Sequence, residues 1–196
     1  MAIEFDPVRG QYIDGVKYLS RESVRVEIDR LLRHFERESA SLARQLFRRE
    51  ISLADFQIGM LELIKETSII STSIGFGGLD QMTQARWGGL GAKLRQQYAY
   101  LNSFARQIEQ GRIIFESQLE RRSQLYSKSL RAMYYEGELA VAKAAGYTQS
   151  RRTLHALESC SECLDWSNRD WVGIEVQPPI STLRCKQFCR CTLLYR

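Results

Sequence analysis

Hydrophobic positions recur at helical spacing over most of the chain beyond residue 20. In the first segment, apolar side chains lie three, four and seven residues apart: Val24, Ile28, Leu31, Leu32, Phe35, Leu42 and Leu46. Ser20 precedes this stripe and is a residue type that caps helix N-termini, so the pattern predicts a first helix. Ser52 followed by Asp55 forms a capping-box sequence that predicts a second helix, with Phe56 and Met60 on its buried face.

The pattern changes between residues 68 and 91. Residues 68–74 are rich in β-branched side chains, which predicts that helical character weakens there. Two glycine clusters follow, at residues 75–78 and 88–91. Because glycine lets backbones approach closely, the clusters predict helix crossings or bends, with Trp87 filling a crossing.

Two further helices are predicted, over residues 92–110 and over residues 114–145, the second as one long helix. Within it, Gly137 marks a close contact, because glycine otherwise costs a helix about 1 kcal/mol. Gly146 is a suitable residue to end the helix.

Short extended segments flank the helices. Asp14-Gly15 is a hairpin signal near the N-terminus. Thr192–Tyr195 is a predicted final strand. The predicted class is mainly α: an elongated helical body with a short N-terminal hairpin (residues 1–150), and a small cysteine-rich, zinc-knuckle-like α+β module (residues 151–196).

Composition and charge narrow the choice of partners. The 196 residues are 44% hydrophobic and contain no run of eighteen apolar residues, so we expect no membrane span and synthesis in the cytoplasm. The net charge is +5, and residues 84–131 carry nine basic and three acidic side chains. This basic segment could contact nucleic acid or an acidic protein surface, or it could be a solvated face.

All five cysteines lie in the C-terminal module, in the order C-x2-C, twenty-one residues, C-x3-C-x-C. Such paired clusters can form a closed tetrahedral thiolate site, and zinc is the first candidate. The candidate ligands are Cys160, Cys163, Cys185, Cys189 and Cys191. Five cysteines exceed four positions, and we predict the first three with either Cys189 or Cys191 as the fourth.

Other interpretations of the cysteines remain open. Disulfides are disfavoured because residues 1–20 hold no secretory signal. A redox C-x-x-C belongs at the start of a helix after a strand, and the local sequence indicates neither. Five clustered cysteines are also improbable as ordinary buried thiols. His155 could replace one cysteine as a ligand, although a solvated histidine at a helix end is the plainer interpretation.

Known catalytic patterns are missing from the sequence. It contains two histidines and no G-x-S-x-G, H-E-x-x-H or kinase set, and its glycine clusters lack P-loop order. We therefore expect a protein that is not an enzyme and has no small-molecule substrate.

The second half of the chain resembles the minor head, or head-morphogenesis, proteins of tailed bacteriophages. The residues that carry the resemblance are Tyr126, Arg131, Tyr134, Ala144-Ala145-Gly146-Tyr147, Arg151-Arg152, Cys160-x2-Cys163 and Cys189-Arg190-Cys191. The turn-rich opening, the charged first helix and Trp87-Gly88 are similar to phage structural proteins as well. One departure is Cys185, which stands where many members carry a histidine.

The resemblance implies a low-copy virion protein that assembles the head in contact with portal, capsid or scaffold subunits. Packaged DNA is a further candidate partner, and the expected location is the capsid interior or portal region. A zinc-ribbon regulator that binds nucleic acid is the alternative. It predicts basic residues concentrated on the cysteine module, where Arg184, Lys186 and Arg190 lie. A thiol-disulfide enzyme is a third and weaker alternative.

Overall fold

The chain folds mainly into helices, with two small antiparallel sheets. The computed structural model describes residues 3–6 and 8–196, and within them no helix is long and apolar enough to cross a bilayer. The helices are α1 (Arg21–Phe47), α2 (Leu53–Gly75), α3 (Gln84–Glu109), α4 (Glu116–Gln124), α5 (Tyr126–Ala144) and α6 (Ser161–Ser167). The strands are β1 (Ile3–Asp6), β2 (Gln11–Asp14), β3 (Lys17–Leu19), β4 (Gln149–Thr153), β5 (Val172–Gly173) and β6 (Thr192–Tyr195). The predicted class, mainly α with a small α+β module, is confirmed.

The first two helices begin where their caps predict. Ser20 accepts a hydrogen bond from the Ser23 N–H at 3.0 Å. Ser52 and Asp55 form the complete capping box, in which each side chain accepts from the other residue's backbone N–H. In the apolar stripe of α1, Val24, Ile28, Leu32 and Phe35 are buried in the core, and Leu31, Leu42 and Leu46 are partly buried.

The prediction that helical character weakens over residues 68–74 is wrong, because α2 continues to Gly75. Small side chains in this segment are buried against α5, and the Ser71 hydroxyl donates to the Leu130 carbonyl at 2.8 Å. A Cβ added to Gly137 would lie 2.5 Å from the carbonyl carbon of Gly75. Close packing between α2 and α5 therefore outweighs the low helix propensity of β-branched residues, and the contact predicted at Gly137 is confirmed.

The second glycine cluster makes no helix crossing. Gly88, Gly89 and Gly91 lie inside α3, and a Cβ on any of them would meet no atom within 4 Å. Trp87 is 40% exposed and fills no gap between helices. The prediction of a crossing there is wrong because the Thr83 cap starts α3 ahead of these glycines, and nothing packs against them.

The predicted long helix over residues 114–145 is two helices. The break lies at Leu125, between α4 and α5. The two helices pack against different partners, since α4 lies on α1 while α5 lies mainly on α2. Gly146 ends α5 with a φ of +83°, as predicted.

Three strands form the N-terminal sheet, in the order β1-β2-β3. Asp14 pairs with Lys17, so the predicted hairpin is confirmed, and β1 is an additional strand. The sheet packs on the rest of the chain around Arg21, whose guanidinium carbon lies 5.1–5.8 Å from the centres of four aromatic rings. The rings belong to Phe5, Tyr12, Tyr147 and Tyr195.

A buried ion pair joins the helices to the C-terminal sheet, whose order is β5-β4-β6. Arg25 on α1 donates to both carboxylate oxygens of Glu138 on α5, at 3.2 and 3.1 Å. The same guanidinium donates to the Leu193 carbonyl in β6 at 2.6 Å. The predicted final strand is thus confirmed as β6 and is fixed to α1. The proposed domain division at residue 150 stays a prediction.

Candidate metal centre

The five cysteines come from two segments that meet beside the C-terminal sheet. Cys160 is the N-cap of α6, and Cys163 lies in its first turn. Cys185 precedes a short 3-10 turn and Cys189 follows it, while Cys191 directly precedes β6. The first cysteine segment follows β4, and the second directly precedes β6. Because β4 pairs with β6, the two segments lie close together.

The sulfur atoms lie close enough to share a metal ion. The thiols of Cys160, Cys163 and Cys185 form one group with sulfurs within 4.8 Å of one another, and those of Cys163, Cys189 and Cys191 form a second. The Cys163 Sγ lies 3.5 Å from that of Cys185 and 3.9 Å from that of Cys189. A tetrahedral ion with metal–sulfur bonds of about 2.3 Å separates its sulfurs by about 3.8 Å. The structure therefore brings the five predicted ligands into two three-thiol groups that share Cys163, and these groups could hold a metal ion.

The cluster is unlike a set of disulfides. All five thiols are free, and the 3.5 Å separation far exceeds a disulfide bond of about 2.05 Å. Cys163, Cys189 and Cys191 are buried, whereas Cys160 and Cys185 are partly exposed. Ile174, Ile180 and Leu193 are buried in the same apolar core as Cys163, Cys189 and Cys191.

Neighbouring thiols set the protonation of the cluster. A hydrogen bond from Cys191 lowers the pKa of Cys189 to about 4, despite its burial. The same hydrogen bond raises the pKa of Cys191, burial raises it further, and Arg152 partly opposes both. Burial raises the pKa of Cys185, as do hydrogen bonds to adjacent thiols. The thiolate is the form that binds metal, so metal binding would have to deprotonate the thiols whose pKa is raised.

Arg152 lies beside the sulfur cluster, a position that the sequence did not predict. Although an arginine, it is only 2% exposed, because alternate residues of β4 face inward. Its Nη1 lies 3.9 Å from the Cys163 Sγ and 3.8 Å from the Cys189 Sγ. Its Nη2 donates to the carbonyls of Pro178 and Pro179. A guanidinium therefore adjoins the sulfur cluster from its buried side.

His155 lies apart from the sulfur cluster. It is exposed, and its Nε2 is 2.9 Å from the Thr192 hydroxyl. The expectation that it ends a helix is wrong, since it follows β4 in a loop. Among the described residues, the candidate metal-binding groups contain cysteines alone.

The local setting of Cys160-x2-Cys163 differs from the expected one. The sequence indicated no helix start after a strand here, which disfavoured a redox motif, but Cys160 does cap α6, and β4 precedes it. Cys163 is nevertheless packed among the other cysteines as well as Cys160. Its neighbours distinguish the arrangement from an isolated redox pair.

The basic segment 84–131 is partly neutralised by the fold. Lys93, Lys128 and Arg131 form ion pairs with carboxylates outside the segment, those of Glu136, Glu36 and Asp29. Arg122 lies over the Phe104 ring, with its guanidinium carbon 4.4 Å from the ring centre. In the opposite direction, Glu116 and Glu120 of the segment pair with Arg48 and Arg44 outside it, so most of the local excess of positive charge remains.

Comparisons of the chain with protein-family models, curated proteins and solved structures found no match. The resemblance to phage head-morphogenesis proteins thus stays a prediction.

Proposed function

We propose that the chain is a non-enzymatic structural protein whose C-terminal module is held by one zinc ion, and that it acts in phage head assembly. The observation that carries the metal part is the convergence of Cys160–Cys163 and Cys185–Cys191 on one sulfur cluster. The assembly part rests on the resemblance of the second half of the chain to head-morphogenesis proteins.

Zinc suits this cluster because it prefers four thiolates in tetrahedral geometry and takes part in no redox chemistry. The measured sulfur separations of 3.5 and 3.9 Å lie on either side of the tetrahedral value of about 3.8 Å. A site closed by four thiolates has no open position for substrate or reactive water. The ion would therefore have a structural role.

Metal analysis tests the zinc proposal. Protein purified under reducing conditions is expected to contain about one zinc per chain by elemental analysis, and Cys163→Ser none. The matched control is Ser167→Ala, which alters an exposed end of α6 and leaves the sulfurs in place. Wild-type protein without bound metal after zinc is supplied would contradict the proposal.

A protein partner is favoured by exposed apolar side chains on α3 and at the two ends of α4. Tyr100, Phe115 and Leu125 are 54%, 59% and 47% exposed. A cleft of about 470 Å³ lies between α3 and the junction of α4 with α5, and Tyr100, Leu125 and Tyr126 are among its lining residues. Portal, capsid or scaffold subunits are the partners that the resemblance implies for such a surface.

The assembly proposal is tested in the phage or prophage that encodes the chain. Quantitative mass spectrometry of purified particles should detect the protein at low copy number in heads, and deletion of its gene should prevent the formation of filled heads. The assembly role would be refuted if purified particles lacked the protein and if heads formed normally after deletion. Neither result would bear on the zinc proposal.

A zinc-ribbon nucleic-acid binder is retained as a second candidate because Arg184, Lys186 and Arg190 are all exposed on the module. If they contact phosphates, binding to duplex DNA should weaken steeply with salt, and each cation replaced should reduce the salt slope by about 1. No detectable binding at low salt would remove this candidate.

A further inference from the structure

Arg152 provides a cation to the sulfur cluster from the protein itself. Its side chain comes from β4 and ends between the two cysteine segments, 3.9 Å from the Cys163 Sγ and 3.8 Å from the Cys189 Sγ. Both sulfurs belong to the second three-thiol group, which shares Cys163 with the first. The guanidinium therefore adjoins two of the three sulfurs of this group, including the one that the two groups share.

The charge of the cluster explains why a buried arginine is tolerated there. Four thiolates around a divalent ion carry a net charge of −2, and a charge buried without a partner is strongly unfavourable. Arg152 is 2% exposed and has no carboxylate partner among the described residues. Its compensating partners are sulfurs and the Pro178 and Pro179 carbonyls. The cation and the thiolates thus stabilise each other.

Building on the metal centre proposed above, we infer that Arg152 is the charge-compensating positioning residue of this centre. It donates hydrogen bonds to the thiolates, takes the place of a second cation in the five-thiol cluster, and fixes the Pro178-Pro179 loop to the sulfurs. The centre therefore binds one divalent ion per chain although its sulfurs form two groups.

The inference makes Arg152 distinct from its neighbour Arg151. Arg151 is exposed and lies beside the Trp171 ring and Asp170, away from the sulfurs. The two arginines are adjacent in the same strand and point to opposite faces of the sheet. Arg151→Met is therefore a matched control for Arg152→Met, because both remove one cation from β4.

The experiment follows cobalt(II) binding to the full-length wild-type protein, Arg152→Met, Arg152→Lys and Arg151→Met. Wild type is expected to take up one Co²⁺ per chain. Arg152→Met should bind about 10–100-fold more weakly, as found when partners of metal ligands are lost. Its sulfur-to-cobalt charge-transfer band should move to lower energy, because a sulfur without its N–H donor gives up electron density more readily. Arg151→Met should match wild type in both properties.

Arg152→Lys keeps the positive charge and loses the planar fork of donors. It should recover part of the lost affinity and show a smaller band shift, and it serves as the test variant if Arg152→Met does not fold. Unaltered affinity and band position in the folded Arg152 variants, or two ions per wild-type chain, would overturn the role of Arg152 and leave the metal centre intact. A wild-type chain that binds no cobalt or zinc would overturn both proposals.

Discussion

The helical body and the cysteine module bury polar groups in opposite ways. In the body, Glu138 is fully buried, yet its carboxylate receives two hydrogen bonds from Arg25 and one from the Tyr134 hydroxyl. In the module, Arg152 is buried against sulfur atoms at 3.8–3.9 Å, and its Nε has no hydrogen-bond partner in the described structure. The buried carboxylate of Glu138 is thus satisfied by groups within the chain, whereas Arg152 lies beside sulfurs that could bind a metal ion.

The two regions also differ in the source of their stability. The apolar stripes of α1, α2 and α5 form most of one continuous core, to which the module adds Ile174, Ile180 and Leu193, and burial stabilises this core at about 25 cal/mol per Å². The module has three short strands, β4 to β6, and a seven-residue helix, too little to fold by burial alone. We therefore expect metal removal to affect mainly the module, and substitutions in the helical core to affect mainly the body.

Removal of the metal should have the largest effect, and it should be confined to the module. Structural zinc in small modules contributes about 10–16 kcal/mol of apparent binding free energy. Chelation should therefore expose the amides of residues 155–196 to hydrogen exchange while those of α1, α2 and α5 stay protected. Equal loss of protection in both regions would show that they do not differ as proposed.

Glu138→Ala should have the largest effect on the body. It leaves Arg25 buried without its carboxylate, which is expected to cost about 3–5 kcal/mol of the free energy of unfolding. Chemical denaturation measures the change. Glu136→Ala is the control on the same helix, because Glu136 is exposed and its pair with Lys93 contributes at most about 1 kcal/mol. Similar losses from both substitutions would argue against the importance of the buried pair.

Gly137→Ala should destabilise the crossing of α2 and α5. The added methyl group would meet the backbone of Gly75 at 2.5 Å, and overpacking of this kind costs about 1–3 kcal/mol. Gly88→Ala is the opposite case, because that position is helical and open, so stability should rise by up to about 1 kcal/mol. Thermal unfolding should show the two changes with opposite sign, and a rise for both would disprove the close crossing.

Ser52→Ala should have the smallest effect of the set. It removes the oxygen that accepts from the Asp55 N–H at 3.1 Å, a loss of about 1 kcal/mol at a helix N-terminus. Ser103, exposed within α3, offers a control that should change stability by less than about 0.5 kcal/mol. If the two variants had the same denaturation midpoint, this cap would be unimportant for stability.

Features that depend on nearby residues could be predicted from the sequence. Ser20, Ser52 and Gly146 determine helix ends through bonds or dihedral angles within a few residues, and the Asp14-Gly15 turn does the same for a hairpin. The cysteine spacing likewise predicted that the two cysteine segments meet, since both clusters are short and distinctive.

Features that depend on distant residues could not be predicted in the same way. The helical state of residues 68–74 requires the facing surface of α5, and the break at Leu125 follows from two different packing partners. Arg152 and Glu138 are charged residues of a kind that usually lies in solvent. Their burial is explained only by their partners. Cys163 is more than ten residues from Arg152 along the chain, and Arg25 is more than a hundred residues from Glu138.

The contact between Arg25 and Leu193 also constrains the order in which the nascent chain can fold. The two residues are 168 positions apart, and Glu138 is 113 positions from Arg25. When α1 leaves the ribosome, its arginine has neither partner, and the second arrives only after the cysteine segments have been made. Contacts of such long range are slow to form, so the apolar face of α1 should be the part of the newly made chain that most needs protection by a chaperone.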